Sequence, residues 1–222
     1  MLTLVIGNRN YSSWSLRPWV YLAHHGIRFE ERRVPLYLPG SHEALLEHSP
    51  TGLVPSLHDG DVRVWESIAI LEYLAERFPA ARGWPDAAAA RAHARAISAE
   101  MHAGFRNLRQ ALPMNCRRVV PARDWPAEVQ ADIDRVAAIW TGCREAQDAE
   151  PQSVKAGAFL FGDFGVADAM FAPVAFRFRT YSVALPPKAR AYCDALLALP
   201  EMQSWLSGAV AEAETMPKYD SL

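Results

Sequence analysis

Three groups of residues in this chain have the types and spacing to do chemistry. Glu66-Ser67 opens a segment whose apolar residues Ile68, Ile70, Leu71, Leu74, Ala75 and Phe78 fall on one helical face. At a helix start, free N–H groups and the positive dipole end favour a carboxylate. Glu66 beside it offers an acceptor for an ammonium group, so the pair suits the head group of an amino acid. A plain N-cap serine behind a surface glutamate is the competing structural reading. Val54-Pro55 is the second group. Proline at the start of a strand cannot donate to the ladder, so the strand is an edge or the bond is special. A cis bond there would present the Val54 backbone N–H and C=O to an extended, peptide-like ligand. The third is Asn10-Tyr11-Ser12-Ser13-Trp14-Ser15. A hydroxyl near a helix N-terminus can donate to an anion, stabilise it and lower its pKa. The same serines are also ordinary helix caps, and local sequence does not separate the two roles.

These groups need elements to position them. Leu2–Ile6 is a compact β-prone run, read as a first, buried strand. A helix pattern follows to His25, stopped by Gly26. Pro18 belongs in a first turn, which sets the helix start near Trp14 or Ser15 and leaves Ser12 and Ser13 in the turn before it. Ile27–Val34 reads as a second strand, and Leu36–His48, interrupted by Pro39-Gly40, as a loop with a short helix. Leu53–Leu57 and Val62–Trp65 flank Asp59-Gly60-Asp61, a hairpin turn in which glycine supplies the positive φ. The order is βαβαββα, ending near Phe78.

Pro79–Asp86 reads as a linker, dividing residues 1–80 from residues 87–222, where helical periodicity dominates. Ala87–Leu112 is expected as one long helix, Arg117–Asp124 as a loop, and a helix follows from Trp125-Pro126 to about Asp148. Glu150–Gly157 is again expected as loop. Ala169–Tyr181, Lys188–Ala198 and Pro200–Glu214 complete an all-α second part, with Trp205 as core.

Composition excludes several classes. Half the residues are hydrophobic and the net charge is −2, so no basic surface for nucleic acid is indicated. Cys116, Cys143 and Cys193 are isolated, with no CxxC pair, metal-ligand spacing or disulfide framework, which fits a reducing cytoplasm. MLTLVIGNRN has no basic n-region, and no apolar run is long enough to span a bilayer.

Val-Pro, a hairpin turn, then Glu-Ser-Ile-Ala-Ile-x-x-Tyr-Leu resembles the glutathione-binding half of the glutathione S-transferases. The resemblance implies a thioredoxin-like domain followed by an all-α helical bundle. In that domain Val54, ahead of a cis Pro55, takes the cysteinyl backbone of glutathione, and Glu66 and Ser67 take its γ-glutamyl end. Glutathione reacts as a thiolate, whereas a free thiol has a pKa of about 8.5. SSWSLRPWVYLA is similar to the Ser-Ser-Cys-x-x-Arg run of the zeta class, with Ser12 and Ser13 on the serine pair and Arg17 on the arginine. That class favours Ser12 as the activating hydroxyl, delta and theta spacing favours Ser13, and Ser15 and a tyrosine-type role for Tyr11 stay open. Trp14 stands where the zeta pattern has cysteine. Family members carry basic or amide residues toward the glycine carboxylate, and His42 is the candidate here.

Phe159–Asp168 resembles the family's buried capping motif, with Gly165 where Ser or Thr is usual and Asp168 in place. The resemblance spans almost the whole chain, being strongest over Asn10–Leu22, Thr51–Phe78 and Phe159–Asp168. It implies a homodimeric enzyme using glutathione as co-substrate against a small electrophile, without a metal or a membrane. Candidate walls for the electrophile are Tyr11, Trp14, His102, Phe105, Arg106 and Arg109. Two alternatives accompany it. One is a zeta-like, maleylacetoacetate-type isomerase, supported if Arg106 or Arg109 points into the cleft; the other is a non-catalytic interaction protein on the same fold, like the stringent-starvation protein.

Overall fold

A computed structural model describes residues 1–149 and 157–220. Most of the loop expected at 150–157 therefore lies outside the described residues. The first part runs β1 (Leu2–Ile6), α1 (Ser13–His24), β2 (Phe29–Arg33), α2 (Ser41–Leu46), β3 (Ser56–Asp59), β4 (Val62–Trp65) and α3 (Ser67–Arg77). The strands lie in the order β2-β1-β3-β4, with β2 parallel and β3 antiparallel to β1. This is the thioredoxin-like βαβαββα arrangement. The buried central strand β1 packs beneath α1, and α1 in turn packs on α3.

α1 ends where the sequence places its stop. The Gly26 N–H bonds to Ala23 C=O and the Ile27 N–H to Leu22 C=O, the paired closure that a left-handed residue permits. Its start differs from expectation. The helix begins at Ser13, and Pro18 lies inside it rather than in its first turn. Proline costs about 3 kcal/mol in a helix interior. Here the run from Ser15 to Leu22 is wholly buried against its neighbours, and that packing outweighs the missing bond.

A 3₁₀ turn at Pro79–Ala81 leads to a helical second part: α4 (Ala88–Ala103), α5 (Arg106–Ala111), α6 (Ala127–Ala149), α7 (Val166–Thr180), α8 (Pro187–Ala198), α9 (Pro200–Ala211) and α10 (Pro217–Asp220). The single helix expected over Ala87–Leu112 is broken. Gly104 is extended and Phe105 is left-handed, which turns the Phe105 ring into the core. A Cβ at Gly104 would sit 2.8 Å from the Glu100 carbonyl oxygen, so the break needs glycine. The last long helix stops at Ala211 rather than Glu214, because the Glu212 carboxylate is taken by the backbone N–H groups of Arg9 and Asn10.

α7 is buried nearly all round and packs against α1, α4 and α8. Gly165 occupies its N-cap, and Asp168 accepts the N–H groups of Gly165 (2.9 Å) and Leu160 (3.0 Å) and the Tyr192 hydroxyl (3.0 Å). Glycine has no side chain to return the bond, so only half of a capping box exists. Burial lifts the Asp168 carboxyl to about 6 against these three donors. Trp205 is fully buried, its indole N–H donating to the Arg9 carbonyl.

Candidate functional site

A cleft of about 650 Å³ opens between the two parts. Its walls are the start of α1, the segment leading to Pro55, the start of α3, and Arg109, Met114, Arg177 and Tyr219 from the helical part. That size suits a small-molecule ligand.

At the start of α1, Ser12 holds the N-cap position but makes no side-chain cap bond. Its Oγ lies 2.7 Å from Ser15 Oγ instead. Ser13 Oγ accepts a hydrogen bond from Arg177 Nη2 at 3.0 Å, across 164 residues of chain. Ser12 and Ser13 both line the cleft. Ser15 does not: it is fully buried and its Oγ accepts the Gly7 N–H at 3.1 Å. The Tyr11 ring lines the cleft, but its hydroxyl is spent. It donates to Asp220 and accepts from Arg117 Nη2 (2.8 Å) and the Met216 N–H (3.1 Å), which exhausts its bonding capacity.

Opposite lies the segment before β3. The Val54–Pro55 bond is cis. The β1–β3 pairing reaches only to Ser56, and among the described residues no hydrogen bond engages the Val54 backbone. Val54 therefore borders the cleft as a short open edge. The exposed His42 ring sits against Gly52 on the same wall, within 2.3 Å of where a Cβ there would lie.

At α3 the N-cap is Glu66, not Ser67. Glu66 adopts φ 69°, a conformation that costs a non-glycine residue on the order of 1–3 kcal/mol. That twist leaves its carboxylate exposed, 3.6 Å from His102 Nε2. Ser67, the first helical residue, keeps its Oγ for Arg17 Nη1 at 3.1 Å rather than for its own helix.

Three arginines converge on this region. Arg17 is buried, donates also to the Met170 carbonyl, and has its guanidinium 4.3 Å from the Trp14 ring centre. Arg109 lies over the same ring at 5.4 Å. Arg177 donates to the Arg109 carbonyl at 3.2 Å and to the Leu112 carbonyl besides Ser13. Burial and then the neighbouring Arg109 and Arg177 push Arg17 down to about 9, with Glu66 opposing. Burial and Arg109 push Arg177 down to about 10. Arg109 is lowered by burial, with Asp132 opposing. Arg109 and Arg177 line the cleft, and among the described residues Glu66 is the one acidic side chain in its lining, so the cavity favours an anion.

The electrophile walls expected from sequence divide. Tyr11, Trp14 and Arg109 border the cleft. Phe105 is core and Arg106 faces solvent. His102 packs edge-on to Trp14 at 5.3 Å rather than lining the cleft. Sequence reasoning missed Arg177 and Tyr219. An arginine within the apolar run Ala169–Phe178 was a signal for the first; Tyr219 carried none.

The model of the glutathione S-transferase N-terminal domain matches residues 11–77. Glutathione S-transferase GstB of Escherichia coli K12 is 33% identical over 149 residues, 65% of this chain and 67% of that protein. A stringent starvation protein A homologue of Coxiella burnetii is 26% identical over 189 residues, 85% of this chain and 81% of that protein. Among solved structures, a glutathione transferase homologue from Burkholderia with bound glutathione superposes with a TM-score of 0.67 at 26% identity, covering 95% of this chain and 99% of that one. A sheet opening on a cis proline, two helix starts turned toward one cleft, and relatives of this kind make the chain a member of the glutathione S-transferase family.

Proposed function

We propose that the protein is a glutathione transferase. Residues 1–80 bind glutathione and residues 87–222 supply the electrophile side. The γ-glutamyl carboxylate meets the Ser67 N–H and hydroxyl at the start of α3, where Arg17 holds the serine oxygen. Its ammonium meets the exposed Glu66 carboxylate. The cysteinyl N–H and C=O pair with the open Val54 edge ahead of Pro55, and the glycine carboxylate extends toward His42.

This pose brings the sulfur under the start of α1. The thiol proton leaves to solvent, the Ser12 hydroxyl donates a hydrogen bond to the thiolate that remains, and Ser13 stands beside it as a second hydroxyl. The buried arginines add positive potential, which favours the anion further. The thiolate then attacks the electrophile, forming a C–S bond while the halide or other leaving group departs with its electron pair. The observation that carries this reading is the convergence of Ser12, the Val54 edge and Ser67 on one cleft. Retention on glutathione resin with turnover of a chromogenic aryl halide tests it.

One observation favours a second chemistry. Arg109 borders the cleft, held against Trp14 and without a carboxylate hydrogen-bonded to it among the described residues. It suits a carboxylate-bearing substrate, as in a zeta-like isomerase that adds glutathione across a double bond and then expels it. A folded protein that neither binds glutathione nor turns over either kind of substrate is an interaction protein, the reading to which the similarity to stringent starvation protein A lends weight. A cytoplasmic homodimer completes the proposal.

A further inference from the structure

The proton on Ser15 has one place to go. Ser15 is fully buried, so no solvent takes it. Its oxygen already accepts the Gly7 N–H, a donor with nothing to receive. Among the described residues its remaining partner is Ser12 Oγ at 2.7 Å. A buried hydroxyl that failed to donate would leave a polar hydrogen unsatisfied, which native interiors avoid. Ser15 therefore donates and Ser12 accepts.

The local fold enforces this arrangement. Ser12 is the N-cap and Ser15 the third helical residue, the spacing at which a side chain reaches back to the N-cap backbone N–H. Here the Ser12 N–H is taken by the Asn8 carbonyl at 2.8 Å, so Ser15 meets the Ser12 side chain instead. The end of β1, through Gly7, pins Ser15 in that pose.

We propose that Ser15 is a positioning residue that orients the Ser12 hydroxyl. By occupying one lone pair of Ser12 it holds that oxygen away from its helix-capping role and directs the remaining proton into the cleft. A hydroxyl that accepts one hydrogen bond also donates a stronger one. Ser15, a candidate for direct contact with the thiol, thus acts through Ser12 without touching ligand. This rests on the glutathione reading above and adds to it a fixed proton direction, Ser15 to Ser12 to sulfur.

The test is the pKa of protein-bound glutathione, read from ultraviolet thiolate absorbance against pH. Ser12→Ala should raise it by about two units and Ser15→Ala by about one, the latter with affinity for the protonated tripeptide, measured well below the bound pKa, retained. The double variant should match Ser12→Ala alone, because Ser15 has nothing left to orient. Ser15→Cys keeps the shape and donates weakly, so it should fall between wild type and Ser15→Ala; it also serves if Ser15→Ala does not fold. A shift with Ser12→Ala but none with either Ser15 variant overturns the wiring and leaves the glutathione reading standing. Additive shifts in the double variant overturn it too. No shift with Ser12→Ala overturns both the wiring and the assignment of Ser12, whereas absence of glutathione binding in the wild type overturns the reading itself.

Discussion

Two helix starts in this molecule use polar side chains in opposite ways. At α7 every acceptor site of Asp168 that the fold can reach is spent inside the protein, on Gly165, Leu160 and Tyr192. At α1 the N-cap Ser12 makes no cap bond, and it borders a cleft together with Ser13. The start of α3 sides with α1: Glu66 is twisted into a left-handed conformation and Ser67 is held by Arg17 rather than by its own helix. A helix end whose hydrogen-bonding capacity is consumed by the fold is structural. One that withholds it, at a local cost, has it available for a ligand.

The contrast can be broken at either end. The largest effect should come from Asp168→Ala, which leaves two backbone N–H groups and a tyrosine hydroxyl buried without an acceptor; a loss of about 4 kcal/mol is expected in denaturant unfolding. Glutathione affinity of the folded variant should hardly change. The pH dependence has a definite sign. The Asp168 carboxyl sits at about 6 in the folded state against 3.8 as its ordinary value, so its titration favours folding fully below pH 3.8 and that contribution is lost as pH rises through 6. It amounts to about 3 kcal/mol, and the stability gap between wild type and Asp168→Ala should narrow across that interval.

Ser12→Ala should do the reverse. Turnover of an aryl halide should fall about a hundredfold, as when a donor to a reacting anion is removed, while stability to unfolding falls by only about 1–2 kcal/mol, for the single buried Ser15 hydroxyl left without an acceptor. Next in size is Arg109→Gln. Steady-state kinetics should show KM for a carboxylate-bearing electrophile rising about tenfold, with a neutral electrophile nearly unaffected. Smallest, Ser67→Ala should weaken glutathione binding by about threefold to tenfold in calorimetry, since the backbone N–H and the helix dipole persist. An unfolding penalty from Ser12→Ala as large as that from Asp168→Ala would erase the distinction between the two helix starts.

Local chemistry made much of this legible. The βαβαββα order followed from short apolar runs separated by Gly26, Pro39-Gly40 and Gly60, each a turn signal with its own backbone reason. Pro55 announced itself because proline cannot join a ladder, and Glu66-Ser67 because a helix start attracts carboxylates. What stayed hidden depends on distant contacts. Pro18 inside α1 is tolerated only because the surrounding helix is buried by elements far along the chain. The break at Gly104 looks, in sequence, like one glycine in a helix-prone stretch; its cause is the core site that receives Phe105. Arg177 reaches Ser13 across 164 residues, and no window of sequence holds both. Residue chemistry alone left Ser12, Ser13 and Ser15 open, and only the resemblance favoured Ser12; what separates them in the fold is Arg177 on Ser13 and Gly7 on Ser15.

The most direct test of the central claim is calorimetric titration of glutathione into the purified, folded protein. A saturable heat of binding, weakened in Ser67→Ala, is the predicted result. No heat from protein that melts cooperatively would contradict it, and the cleft between the two parts would then have some other ligand.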